Sequence, residues 1–267
     1  MCIHSLQIGS VQVKSTHRKL KGPKSLRFAT ILADPTWTQP LPINVYLIEH
    51  SEGFILIDTG EMAQASQPDY YPNFIYRQIL KLKIRPEEEA GPQLKEFGIS
   101  TGDIRKVILT HLHSDHAGGL HHFPKAEILL SRMEYNSGFG QMRERWPNWF
   151  KPNLIDYRTE PVGPFEQSFR LTKAGDVVIV PTPGHTAGHQ SVILEREGIS
   201  YFFAGDASFT EQELLDEQLA GISQNLDEAR QTLRQIKRYV AQTPTVYLPA
   251  HDHHAKERLA NKNPVKV

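Results

Sequence analysis

Four side chains able to hold a cation fall within six residues of the stretch THLHSDHAGG: His111, His113, Asp115 and His116. Imidazole and carboxylate are ligands for zinc and other divalent first-row metals. On an extended backbone, residues two apart point the same way. His111, His113 and Asp115 can therefore face one point while His116 turns toward a neighbouring one. Four such groups are costly to desolvate together unless a cation lies among them. A polar loop with incidental histidines is the alternative, and the density of the cluster argues against it. Gly118 and Gly119 suit the tight turn that follows.

Later strand ends add three candidates. His185 follows VVIVPTPG, Asp206 follows YFFAG and His251 follows VYLPA. The C-terminal edge of strands is a common place for active sites in α/β folds, and rigid strands hold ligands in place. Singly, each residue is weak: Asp206 alone reads equally as a turn residue or helix cap. Jointly they point to a metal centre.

The elements that must position these groups are short. INVYLIEH and GFILIDTG, meeting at Ser51-Glu52-Gly53, predict a hairpin. RKVILT predicts a buried strand ending at Thr110, and AEILL, DVVIVPTPGH, ISYFFAGD and TVYLPAHD predict four more. Ser131 with Glu134 three residues on fits a capping box for a short helix. In NLDEARQTLRQIKRYV the residues Leu226, Ala229, Leu233, Ile236 and Val240 recur at helical spacing, with Asn225 and Glu228 at the N-terminal cap. Glu61 to Pro92 and Tyr135 to Phe150 read as surface excursions. Alternating strands and helices, with hairpins, predict a mixed α/β layered fold. Nothing breaks the pattern into parts, so residues 1–267 are expected to form one domain.

Composition narrows the function. Lys plus Arg number 30 and Asp plus Glu number 30, so the chain carries no general pull toward nucleic acid or an anionic membrane. The one cysteine, Cys2, allows no intrachain disulfide and leaves His and Asp/Glu as the metal-binding vocabulary. There is no G-x-S-x-G, and Cys2 is far from every motif, so no Ser or Cys nucleophile is expected. The start of the chain does not read as a secretory signal, and no apolar run approaches the ~20 residues that span a bilayer. A soluble cytoplasmic protein is the expectation.

The series His111-x-His113-x-Asp115-His116, then His185, Asp206 and His251, resembles the metallo-β-lactamase superfamily from FILIDTG to PAHD. The resemblance implies an αββα sandwich of two mixed β-sheets flanked by helices, with a two-metal site on one edge. Carried onto this chain, His111, His113 and His185 would hold one cation. Asp115, His116 and His251 would hold the other, with Asp206 bridging. Zinc is the first choice of cation, and iron, cobalt or manganese suit the same donors. Asp58 in LIDTG matches a further hallmark, and either orients a ligand histidine or is a strand-end turn residue. His189 competes with His185, and the resemblance favours His185, leaving His189 to structural hydrogen bonds. His121, His122, His253 and His254 are expected to be exposed.

Several branches of the superfamily fit poorly. Secreted β-lactamases usually carry a signal peptide and lack the bridging aspartate. Glyoxalase II-type thioesterases add a helical C-terminal domain, whereas 16 residues follow His251 here. Flavodiiron-type members have a glutamate in place of His113, and a tRNA-processing nuclease needs an extended basic surface. HLHSDHAGG, TPGHTAGHQS and GDASFTEQELLDEQLAGI are similar to stretches of the N-acyl homoserine lactone lactonases. That implies opening of a lactone ring by hydroxide shared between two metals, with Asp115 carrying a proton to the leaving alkoxide. Hydrolysis of phosphotriesters, aryl esters or thioesters is the alternative. One departure stands out. A tyrosine commonly follows the bridging aspartate by three residues in this branch, and here the position is Phe209, which has no hydroxyl to donate. Phe209 is expected to line the pocket. Trp146 and Trp149, with Phe150, either hold an acyl chain or cap the core or a subunit contact. The same choice applies to PDYYPNFIY, Pro68 to Tyr76, and a homodimer is the corresponding expectation. The first forty residues, with THRKLKGPKS, suggest no function.

Overall fold

The computed structural model describes residues 2–67, 69–71 and 74–267. Its first half runs β1 Ile3–Val13, α1 Ser15–Arg18, α2 Arg27–Ala33, β2 Leu41–His50, β3 Gly53–Ile57, α3 Phe74–Ile79, β4 Leu80–Lys83, α4 Ala90–Glu96, β5 Ile104–Ile108 and α5 Ser114–Ala117. Then come β6 Glu127–Ser131, α6 Arg132–Ser137, β7 Asn153–Ile155, β8 Phe169–Arg170, β9 Val177–Pro181, β10 Gln190–Arg196 and β11 Ile199–Gly205. The chain closes with α7 Glu211–Leu215, α8 Leu226–Gln242, β12 Thr245–Pro249 and α9 Ala255–Ala260.

The strands form two mixed sheets, ordered β4-β1-β2-β3-β5-β6-β7 and β12-β11-β10-β9-β8. β3, β5, β6 and β7 run parallel to one another, as do β11 and β12, and the other pairings are antiparallel. Side chains alternate across each strand, and this divides the apolar residues among three layers. Ile55 and Ile57 of β3 meet Ile179, Phe203 and Leu248 of the second sheet, while Leu56 points the other way, onto Ala90 and Leu94 of α4. In the second sheet Phe202 and Tyr247 turn away from the first, onto Leu233 and Ile236 of α8. Both sheets are thus covered on both faces, which explains why β2 and β12 read as near-continuous apolar runs. The arrangement is the expected αββα sandwich.

The helix over Leu226–Gln242 lies where its periodicity placed it, and Asn225 caps it by accepting hydrogen bonds from the Asp227 and Glu228 amides at 3.0 and 3.2 Å. Other expectations need correction. α6 starts after Ser131, but the Ser131 side chain makes no capping bond, and Glu134 is buried in the interior, not turned back to the Ser131 amide. Glu61 to Pro92 is no surface excursion. It contributes β4, which extends the first sheet by pairing with β1, together with α3. The Pro68, Pro72 and Asn73 of PDYYPNFIY lie outside the described residues. Among the described residues, no helix is long and apolar enough to cross a membrane.

Candidate metal centre

Four strands end at one edge of the sandwich, and each delivers donors there. β5 leads into His111 and His113, β9 into His185, β11 into Asp206 and β12 into His251. The extended backbone does not continue to Asp115. The chain turns into α5 at Ser114, so Asp115 and His116 reach the site from a single helical turn. Gly205 makes the approach of β11 possible. Its φ is +54°, and a Cβ there would meet Thr110 Cβ at 2.8 Å and His189 Nε2 at 2.7 Å.

The donors fall into two groups that share Asp206. His113 Nδ1 lies 3.0 Å from both His111 Nε2 and His185 Nε2. On the other side His251 Nε2 lies 3.5 Å from Asp115 Oδ2, and His116 Nε2 lies 4.0 Å from the same oxygen. Asp206 Oδ1 lies 3.3 Å from both His116 Nε2 and His251 Nε2, while its Oδ2 lies 3.4 Å from His185 Nε2. One carboxylate therefore faces both groups. His113 and Asp115 are half-buried, and the other five are buried.

The partners on the far side of the rings fix which nitrogens are bare. His116 Nδ1 donates to Asp58 Oδ2 at 2.8 Å, and His251 Nδ1 donates to the Pro42 carbonyl at 2.8 Å. Thr110 Oγ1 gives its hydrogen to Asp58 Oδ2 at 2.9 Å and so accepts from His111 Nδ1 at 3.1 Å. The Nε2 lone pairs of His111, His116 and His251 thus point into the site, two of them at carboxylate oxygens. Among the described residues, His116 Nε2 and Asp206 Oδ1 are buried without a hydrogen-bond partner of good geometry. Lone pairs aimed at carboxylates repel unless positive charge lies between them. The donor set therefore fits divalent cations.

The electrostatics agree. Burial, reinforced by neighbouring rings, pushes His111 and His185 well below the usual imidazole range, and burial brings His113 down to about 4. These three are neutral donors. Burial would lower His116 and His251 too, but Asp206 and Asp115, with Asp58 beside His116, raise both. Asp206 would rise through burial, but His251 and His116 hold it well below the ordinary carboxylate range. The second group thus calls for positive charge, which a cation supplies.

Above the donors opens a cavity of about 270 Å³, at the small end for ligand pockets. His113, Asp115, His185, Asp206 and His251 form its floor, and Val11, Val13, Leu41, Ile79, Leu80 and Leu82 supply apolar wall. Phe209 is among the lining residues, its ring 5.1 Å from that of His251.

A family profile for the metallo-beta-lactamase superfamily matches residues 38–251. The chain belongs to this superfamily. It is 32% identical over 223 residues to an N-acyl homoserine lactonase of Bacillus cereus, a match that covers 79% of this chain and 82% of the relative. A probable metallo-hydrolase of Mycobacterium bovis is 31% identical over 176 residues, 62% of this chain and 56% of the relative. The fold matches that of an N-acyl homoserine lactone hydrolase, solved with N-hexanoyl-L-homoserine at its catalytic metal centre, with a TM-score of 0.78, 24% identity and coverage of 96% and 94%. The protein is accordingly a metal-dependent hydrolase.

For this metallo-beta-lactamase fold the sequence motifs found the floor of the site but not all of its supports. Asp58 is buried and holds His116, and His189 makes structural bonds, to Thr182 Oγ1 at 2.9 Å and from the Asp206 amide at 3.0 Å. Glu134 was missed. It accepts from the Leu112 amide at 3.0 Å, Thr186 Oγ1 at 2.6 Å and the Gly188 amide at 3.3 Å, and so joins the loops carrying His113 and His185. No local signal marks it, since its spacing from Ser131 reads as a helix cap. His17 was also missed. It comes from the basic N-terminal stretch and lines the cavity. Trp146 and Trp149 do not. Trp146 stacks on Tyr135 and packs against the first core layer, and Trp149 is 38% exposed. His121, His253 and His254 are exposed, but His122 is half-buried and bonded to Glu89 Oε2 at 2.7 Å.

Proposed function

We propose that this chain is a dinuclear hydrolase that opens the lactone ring of N-acyl homoserine lactones. The observation that carries the reading is the convergence of seven donors at one edge of the sandwich, five of them on the floor of a largely apolar cavity. His111, His113 and His185 would hold one divalent cation, and Asp115, His116 and His251 the other, with Asp206 shared. When bound, the pair supplies Lewis acidity toward an ester carbonyl and acidifies water near neutral pH. The chain does the rest. Asp58, Thr110 and the Pro42 carbonyl keep the bare nitrogens aimed inward. Asp115 borders the cavity, where its carboxylate can hold a proton and deliver it to the departing alkoxide. The apolar walls exclude water and accommodate the acyl tail, and Phe209 adds surface without a donor.

The reading extends to zinc as the resident cation, a single domain over residues 1–267 and a cytoplasmic location, the last in keeping with one free cysteine. It extends also to a homodimer, for which the exposed Phe28 and Leu32 of α2 and Phe74 and Ile75 of α3 offer an apolar face. Light scattering reads the dimer directly.

The test is release of acid from N-acyl homoserine lactones of several chain lengths, with metal content measured on protein purified without chelator. Turnover abolished in His113→Ala, at about two metals per parent chain, supports the proposal. A fully loaded parent that turns over no lactone overturns it, and phosphotriesters and thioesters become the next substrates to try.

A further inference from the structure

The cavity lining holds two buried ring nitrogens without a partner among the described residues, Nδ1 of His185 and Nδ1 of His17, and of the two only His17 is not a proposed metal donor. His17 is 9% exposed, and its Nδ1 is buried without a hydrogen-bond partner among the described residues. The ring lines the cavity and lies 6.5 Å from the Phe209 ring, at 42° to it. Its backbone is fixed. The His17 amide bonds to the Lys14 carbonyl at 2.9 Å, and the His17 carbonyl accepts from the Ile222 amide at 3.2 Å. Gly221 packs so closely on the Thr16 carbonyl that a Cβ there would collide with it.

A buried polar atom left unpaired carries a desolvation cost that an apolar residue of similar shape avoids. His17 sits among Val13, Leu41, Phe209 and Ile222, where a phenylalanine would fit the surroundings better. Histidine at this position makes sense if a ligand completes it. The other polar groups lining the cavity are Ser114, the Tyr76 phenol and the donor floor. Tyr76 stands on α3, and its ring stacks on Tyr71.

We infer that His17 is a substrate-binding residue whose ring N–H donates a hydrogen bond to a carbonyl oxygen of the bound ester, the contact that Phe209 has no hydroxyl to make. The inference rests on the lactonase reading for its substrate. A neutral imidazole carries one N–H and one bare nitrogen, so it can donate this bond without changing protonation state. Burial, the first cause of its pKa of about 4, keeps the ring neutral.

The experiment compares parent, His17→Phe and His17→Asn at full metal load. It measures kcat and KM on a hexanoyl homoserine lactone, calorimetric affinity for ring-opened N-hexanoyl homoserine, metal content and Tm. The expected result for His17→Phe is a loss of roughly tenfold to a hundredfold in kcat/KM, with weaker product binding and unchanged metal content. Asparagine, which keeps an N–H at a similar reach, should restore activity to within about threefold of the parent. In ¹⁵N-labelled parent protein, product should shift the His17 ring nitrogen signals. Parent-like kcat/KM and product affinity in His17→Phe overturn the inference and leave the lactonase reading standing. A loss that follows falling metal content or Tm, and that asparagine does not rescue, also overturns it, since the ring would then be structural. A fully loaded parent with no lactone turnover and no product binding overturns the lactonase reading, and this assignment with it.

Discussion

Asp58 accepts from the Thr110 amide at 2.7 Å, from Thr110 Oγ1 at 2.9 Å and from His116 Nδ1 at 2.8 Å, and its own φ is +61°. A strained aspartate at a strand end is held there by partners that only a carboxylate satisfies together. Asp58→Asn should therefore weaken metal binding or activity by about 10- to 100-fold with the fold retained. Competition against a chromophoric chelator measures it, and parent-like affinity would count against the orienting role. Glu61 makes a different prediction. It is fully buried, and burial first of all raises its pKa from 4.5 to about 8. Between those values the folded protein keeps a proton that the unfolded chain has released, so stability falls as pH rises through that window. In metal-stripped protein, Glu61→Gln should remove that decline, and the variant's Tm should gain on the parent's from about pH 5 to about pH 8. A Tm difference that ignores pH would sink the assignment. At this scale the donors were legible because four of them crowd into six residues and the rest end apolar runs. Glu134 and His17 were not, because each works through partners distant in sequence.

At the scale of elements, α8 carries its own signals: an asparagine cap and apolar residues on one face. Asn225→Ala leaves two first-turn amides without their acceptor and should cost about 1 kcal/mol of stability, read by urea unfolding with lactonase kinetics unaltered. No change in the urea midpoint would show that tertiary packing, not the cap, fixes the start of the helix. Strands buried on both faces were equally visible. β1 and β4 were harder to see. β1 is broken by Gly9, with φ +61° and a register shift between Gln7 and Ser10, and β4 spends its alternation on lysines at the sheet edge. α5 also escaped notice, since four residues of helix have no periodicity to read.

Taken whole, the two sheets are tied together at the site. Tyr46 of β2 donates to the Pro249 carbonyl at 2.9 Å, Asn44 donates through Nδ2 to the Asp252 carbonyl at 3.0 Å, and its amide bonds to Ala250. The donors themselves come from both sheets, so cations bound among them should hold the halves together. Stripping the metals should lower Tm, and adding back the cation should raise it in proportion to the logarithm of its concentration. A Tm indifferent to chelator would argue that the site contributes nothing to holding the sheets. The cage and the walls have different sources. Every proposed donor lies between His111 and His251, whereas much of the apolar wall comes from residues up to Leu41 and from Ile75 to Leu82, which supply none. Substrate preference can therefore drift by substitutions that never touch the reactive machinery. A lineage built this way can sample new esters one wall residue at a time while each intermediate stays catalytically competent, and a library confined to those wall positions should yield altered chain-length profiles at constant metal content.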